Sequence, residues 1–113
     1  MLNVAQIEVF RDRLLRERAE LWREDAQSAE DRGTVILDQQ SVGRLSRMDA
    51  LQRQAMAEAT QRRRNARRRR IDGALQRIEE DEFGFCQDCG DEIAFARLEL
   101  DPTVPVCVSC ARG

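Results

Sequence analysis

The stretch CQDCGDEIAFARLELDPTVPVCVSC, residues 86–110, decides the fold. It sets Cys86, Cys89, Cys107 and Cys110 at C-x2-C-x17-C-x2-C, a spacing within the range of a zinc ribbon or treble-like finger. Two residues between paired thiols put both sulfurs on one side of a tight turn, and Gly90, directly after the second cysteine, lets backbone amides turn toward them. Zinc held by four thiolates has no open position, so such a centre is structural and not catalytic. The site is left negatively charged, which favours nearby cations; Arg97 and Arg112 are the candidates. Other chemistries open to these residues are iron in a rubredoxin-like S4 site, a redox dithiol at either pair, and two disulfides. A redox pair would leave the matched second pair idle, and disulfides need an oxidising compartment, so zinc is preferred. The alternation of Ile93, Phe95 and Leu98 predicts a short strand pair, and Pro102 and Pro105 stiffen the return.

Upstream of this module the chain reads as helix. From Val4 to about Glu30 there is no Gly or Pro, and Val4, Ile7, Phe10, Leu14, Leu21 and Trp22 fall near helical spacing. Gly33 with Thr34 and Val35 breaks the pattern, and Asp38 or Ser41 can cap a new start. A second helix is expected from Val42 to about Asp81, with a thinner stripe of Leu45, Met48, Ala55, Ala59, Ala66, Ala74 and Ile78. It is longer than the first, so Ile71, Leu75 and Ile78 in its last turns need cover from the module or from the start of helix one. A connection of about ten residues between long amphipathic helices implies an antiparallel hairpin with small alanines at the seam. The expected fold is mainly α: a coiled-coil hairpin over residues 1–81, its tip near 33–49, then a C4 zinc-finger module with short strands over 82–113.

The chain has 113 residues, 35% of them charged and 4% aromatic, with no Tyr. That leaves too little bulky apolar material for a sizeable core, and small cores need staples. The net charge of −2 is a cancellation, because residues 62–70, RRRNARRRR, hold seven arginines and no acid between acidic ends. All 19 cationic residues are Arg, for which codon bias is the preferred reading. No apolar run reaches the length of a membrane span, and the start lacks the order of a secretory signal, so a soluble cytoplasmic protein is expected.

The run from Ile78 to Cys110, with its acidic EEDEFGFC opening, CxxCG knuckle, I-x-x-x-R-L-E segment and proline-containing return to CxxC, resembles the DksA/TraR family of bacterial transcription regulators. The resemblance covers roughly residues 40–110 well and 1–39 in outline. It implies one structural Zn(2+) per chain and, as partner, RNA polymerase, entered by the hairpin through its secondary channel, with acidic tip residues approaching the catalytic region. The family's tip pattern D-x-x-D-x-A falls on Gly43, Ser46 and Met48, so neither aspartate is in register. The tip offers instead Asp38, Gln39, Gln40, Ser41, Arg44, Arg47 and Asp49 as candidate polymerase contacts. Some members respond jointly with the alarmone ppGpp. The family's basic residue late in the second helix is matched by Arg70, but two further cations are replaced by Asp101 and Ala111, so little or no ppGpp binding is expected. The chain has no C-terminal helix of the longer members and resembles the short ones more.

The basic patch Arg62, Arg63, Arg64, Arg67, Arg68, Arg69 and Arg70 has a bland reading, a solvated face part-neutralised by Glu8, Asp12 and residues 79–82. Its functional reading is an anionic partner: acidic polymerase surface or nucleic-acid phosphate, without sequence readout, since no aromatic is interleaved for base stacking. Sequence-specific DNA binding is not expected. With no His and no phosphate loop, neither is catalysis. A zinc-stapled coiled-coil adaptor for another protein or nucleic acid is the alternative to a polymerase regulator, and a monomer is expected.

Overall fold

The computed structural model describes residues 2–33 and 44–113, side chains excepted at 30–33. It is mainly helical: α1 spans Val4–Gly33, α2 Arg44–Glu79, α3 Phe95–Leu100 and α4 Val108–Ala111. The helix α1 begins in a capping box the composition does not announce. The Asn3 side-chain oxygen accepts from the Gln6 amide at 2.8 Å, and the Gln6 side chain accepts from the Asn3 amide at 2.9 Å, which satisfies two of the amides a helix start leaves orphaned. The helix α2 ends in a Schellman turn: the Glu82 amide donates to Arg77 and the Asp81 amide to Ile78, with Asp81 in the left-handed region at φ 58°.

The chain groups into two compact units, residues 1–18 with 68–113 and residues 19–67. In the first, Arg11 meets Glu79 and Arg18 meets Asp72. Seven residues forward on α1 answer to seven backward on α2, so the two helices run antiparallel, as a hairpin must. Phe10 and Leu14 of α1 are buried with Ile71, Ala74 and Ile78 of α2 and with Phe83, Ile93, Leu98 and Pro102 of the following module. The Phe10 ring stands 5.6 Å from Phe83 and 5.8 Å from Phe95, within the range of favourable aromatic pairs. One core therefore serves both the helix ends and the cysteine module, and supplies the cover that Ile71 and Ile78 need. Each large buried side chain contributes about 1.5–3 kcal/mol.

In the unit of residues 19–67 the seam is polar. Asp25 takes Arg64 at 3.0 Å and Gln61 at 2.9 Å, and Gln61 donates on to Asn65 at 3.1 Å. Among its described residues only Ala50 is a buried apolar side chain.

Two expectations need correction. Of the stripe expected on α2, Ala74 and Ile78 are buried and Ala59 and Ala66 half-buried, whereas Ala55 is exposed and Leu45 and Met48 are 80% and 58% exposed. Buried or half-buried positions instead recur every seven residues at Ala50, Ala57, Arg64, Ile71 and Ile78, because a seam between supercoiled helices follows a heptad. The arginine among them hid it. The strand pair is also absent: Phe95–Leu100 is helix, and the module's described pairing is one antiparallel bridge between Phe85 and Glu92. Ile93 and Phe95 alternate, but Phe95 to Leu98 is a helical step through residues that favour helix.

Candidate functional site

The four cysteines come from two turns. Cys86 and Cys89 flank a knuckle in which the Cys86 amide donates to Asp91, the Cys86 carbonyl accepts from Gly90 at 2.9 Å and the Cys89 amide points at the Cys86 sulfur at 3.5 Å. Gly90 holds φ +79°, a conformation in which other side chains are strained. Cys107 and Cys110 bracket the start of α4, and the Gln87 amide donates to Pro105 at 2.8 Å, which ties the return to the knuckle. Arg97 donates through Nε to the carbonyl of Val106, the residue before Cys107, at 3.1 Å.

The Sγ atoms all lie within 4.8 Å of one another, with Cys89 and Cys107 at 3.7 Å. Sulfurs about 2.3 Å from a tetrahedral ion stand about 3.7–3.8 Å apart, so the donor set and its spacing fit one zinc ion. Burial pushes the Cys86 thiol up, but amides of Cys89, Cys107 and Asp88 outweigh it and bring the group down to about 6. Cys110 is raised by hydrogen bonding to the thiols of Cys107, Cys86 and Cys89. A bound divalent cation inverts that second effect by stabilising all four thiolates together.

Two clamps hold the module on the helices and a third contact braces its return, and spacing does not reveal them. Arg13 donates to the Glu99 carbonyl at 2.6 Å, at the end of α3. Arg77 donates to the Thr103 carbonyl at 3.3 Å, and its pKa is lowered by burial, opposed by Glu82. Asp101 accepts from both the amide and the hydroxyl of buried Thr103, at 3.0 and 2.7 Å.

Of the tip candidates, Arg44, Arg47 and Asp49 are exposed on the first turns of α2, whereas Asp38, Gln39, Gln40 and Ser41 lie outside the described residues. The basic run does not form one surface. Arg62, Arg63, Arg69 and Arg70 are exposed, Arg67 and Arg68 are half-buried, and Arg64 turns into the seam against Asp25. Asp25 neutralises one arginine of the run, Arg64; Glu8 and Glu79 both lie against Arg11. Trp22 is 64% exposed.

A helical hairpin carrying a pair of C-x2-C knuckles defines a C4 zinc-finger protein of the hairpin type. Residues 81–113 match the model of the prokaryotic dksA/traR C4-type zinc finger. The RNA polymerase-binding transcription factor DksA of Escherichia coli is 30% identical over 112 residues, covering 96% of this chain and 71% of that protein. Its counterpart in Caulobacter vibrioides is 28% identical over 95% of this chain and 74% of its own length. Among solved structures, transcription factor DksA2 of Pseudomonas aeruginosa superposes with a TM-score of 0.82 at 25% identity, over 97% of this chain and 83% of that one. The chain belongs to the DksA/TraR family.

Proposed function

We propose that this protein is a transcription regulator that binds RNA polymerase, its zinc centre structural and its hairpin the element that enters the secondary channel. The observation that carries this reading is the match to RNA polymerase-binding DksA proteins over 96% of the chain. The zinc sits in the base of the hairpin, where its four protein ligands leave it no chemistry to perform, so the protein acts by occupancy and not by catalysis. Such a partner implies the cytoplasm, and the protein is expected to act as a monomer. Arg44, Arg47 and Asp49, exposed at the start of α2, are its polymerase contacts, with Asp38, Gln39, Gln40 and Ser41 completing the tip.

The alarmone site of its relatives is not retained. Arg70 is exposed, but Asp101 places a carboxylate, engaged with Thr103, where a cation is needed for a polyphosphate, and Ala111 offers none. Isothermal titration of ppGpp onto the protein–polymerase complex should show no site that depends on this protein.

Capture of core polymerase in stoichiometric amount, competed by another secondary-channel binder, is the expected result. Asp49→Ala and Arg47→Ala should then weaken the effect in a transcription assay while leaving capture intact. The second reading, a coiled-coil adaptor, draws on Gly43 and Ser46 standing where the family has tip aspartates. Capture of promoter DNA without polymerase would favour it.

A further inference from the structure

Two surfaces of this chain, one in each unit, carry opposite charge around exposed apolar side chains. In the unit of residues 19–67, Ala50 is buried at the seam, while Leu45, Met48, Leu51 and Met56 of α2 are 58–80% exposed. With exposed Gln52 and Ala55 they step along the helix by threes and fours, the spacing of one continuous face, and that face lies away from the seam repeat at Ala50 and Ala57. Its charge is positive. Between residues 44 and 63 five arginines, Arg44, Arg47, Arg53, Arg62 and Arg63, are exposed against two exposed carboxylates, Asp49 and Glu58. Methionine and leucine on such a face adapt to a partner's shape at little packing cost.

The metal-bearing module is its counterpart. The helix α3 buries Leu98 and leaves Phe95, Ala96, Glu99 and Leu100 exposed, Leu100 at 85%. Both ends of this short helix are pinned: the Phe95 ring packs on buried Phe10 at 5.8 Å, and the Glu99 carbonyl takes Arg13 at 2.6 Å. Its outward side chains are therefore presented with little ordering left to lose on contact. Residues 81–113 hold seven carboxylates against two arginines, and four thiolates on one zinc add further negative charge. Pairing either surface with its own like sets arginine against arginine or carboxylate against carboxylate, which is repulsive. Pairing one with the other brings opposite charges around apolar centres.

We propose that this chain associates head to tail, the outward face of α2 in one copy taking the exposed side of α3 and its acidic surroundings in a second copy. The turns covered in this way carry Arg44, Arg47 and Asp49, so the associated form is a reserve from which the acting monomer is released. That consequence alone rests on the polymerase-binding reading above.

Sedimentation of the zinc-loaded full chain should show a mean mass that rises with concentration in about the micromolar range, and less association at high salt, where surface charges are screened. Met48→Asp and Leu100→Asp each replace an exposed side chain, and zinc stoichiometry with helix content verifies the fold of both. Each variant alone should associate about tenfold to a hundredfold more weakly, the equivalent of one buried apolar side chain. Met48→Asp keeps an intact α3 and Leu100→Asp keeps an intact α2 face, so their mixture should form a one-to-one pair and nothing larger. A monomer at every concentration up to about a millimolar, association that either variant leaves unchanged, or a mixture that does not pair overturns the proposal. Capture of core polymerase is measured separately on the dilute, monomeric chain, so its failure overturns the channel reading and leaves self-association standing.

Discussion

Around the cysteine module, α1 and α2 meet through Phe10, Leu14, Ile71, Ala74 and Ile78. Between residues 19 and 67 the same helices meet through Asp25, Arg64, Gln61 and Asn65, and Ala50 is the buried apolar side chain there. Apolar contact supplies cohesion without caring much about register. A carboxylate bonded to a guanidinium and an amide supplies little net cohesion but fixes which residues face each other. In the second unit large apolar side chains point outward: Trp22, Leu45, Met48, Leu51 and Met56 are 58–80% exposed. Stability is concentrated where the metal is, and the remainder of the hairpin is organised for alignment and contact.

The comparison breaks first at the metal. Chelation, or Cys86→Ser, should abolish the packing of residues 81–113 and with it the shared core, because zinc binding in such modules contributes about 10–16 kcal/mol. Amide dispersion by NMR should collapse for residues 81–113 and persist better within residues 19–67. Zinc uptake should release protons, because the thiols of the unpacked, metal-free module are protonated near neutrality and are bound as thiolates. Calorimetry in buffers of different ionisation enthalpy should give about four protons per zinc near pH 7, and fewer as the pH rises through the ordinary thiol range of about 8.5.

With zinc in place, Leu14→Ala should lower stability by about 2–5 kcal/mol in urea unfolding, since the side chain is fully buried. Leu51→Ala, on an exposed side chain in the other unit, should stay within about 0.5 kcal/mol. A smaller effect tests the polar seam. The Asp25 and Arg64 side chains are 18% and 16% exposed, so Asp25→Ala leaves a half-buried guanidinium without its carboxylate, held by the neutral Gln61 oxygen, and should cost about 1–3 kcal/mol. Replacing both, Asp25→Leu with Arg64→Leu, should recover most of that loss. If the single and double variants were equally unstable, the pair would be a source of cohesion and the two seams would not differ in kind.

The cysteine centre was legible because ligand identity and spacing are local, and four thiols at two matched turns admit few geometries. The hairpin was legible from helical periodicity interrupted once. What resisted was the face of α2. Leu45, Met48 and Ala55 face outward although Ala59, Ala66, Ala74 and Ile78 of the same stripe are half-buried or buried, while the seven-residue repeat passes through Arg64, whose partner Asp25 lies 39 residues away. No local pattern identifies a charged seam position; only pairing does. The strand pair failed for a related reason, since the run Ala94 to Leu100 packs Leu98 inward as a helix and uses Arg13 to satisfy its last carbonyls. The Asn3–Gln6 capping box is written locally in the sequence as Asn-x-x-Gln.

The finest difference lies at the junction where α2 hands over to the module. Asp81 occupies the left-handed position of the Schellman turn at φ 58°, where glycine is the usual residue because a Cβ is disfavoured. Its amide bond to the Ile78 carbonyl and the Glu82 bond to Arg77 are made by the backbone and survive any substitution that keeps the turn. Asp81→Gly removes the conformational cost but gives the unfolded chain more freedom, two effects of opposite sign. The Cβ term is the larger at a position already in the left-handed region, so Asp81→Gly should raise the urea midpoint by the equivalent of about 0.5–1 kcal/mol. Asp81→Ala, which keeps the Cβ, should not. A gain from Asp81→Ala as well would show that relief of repulsion among Glu79, Glu80, Asp81 and Glu82 governs this turn, and that charge, not backbone conformation, limits the stability of the metal-bearing unit.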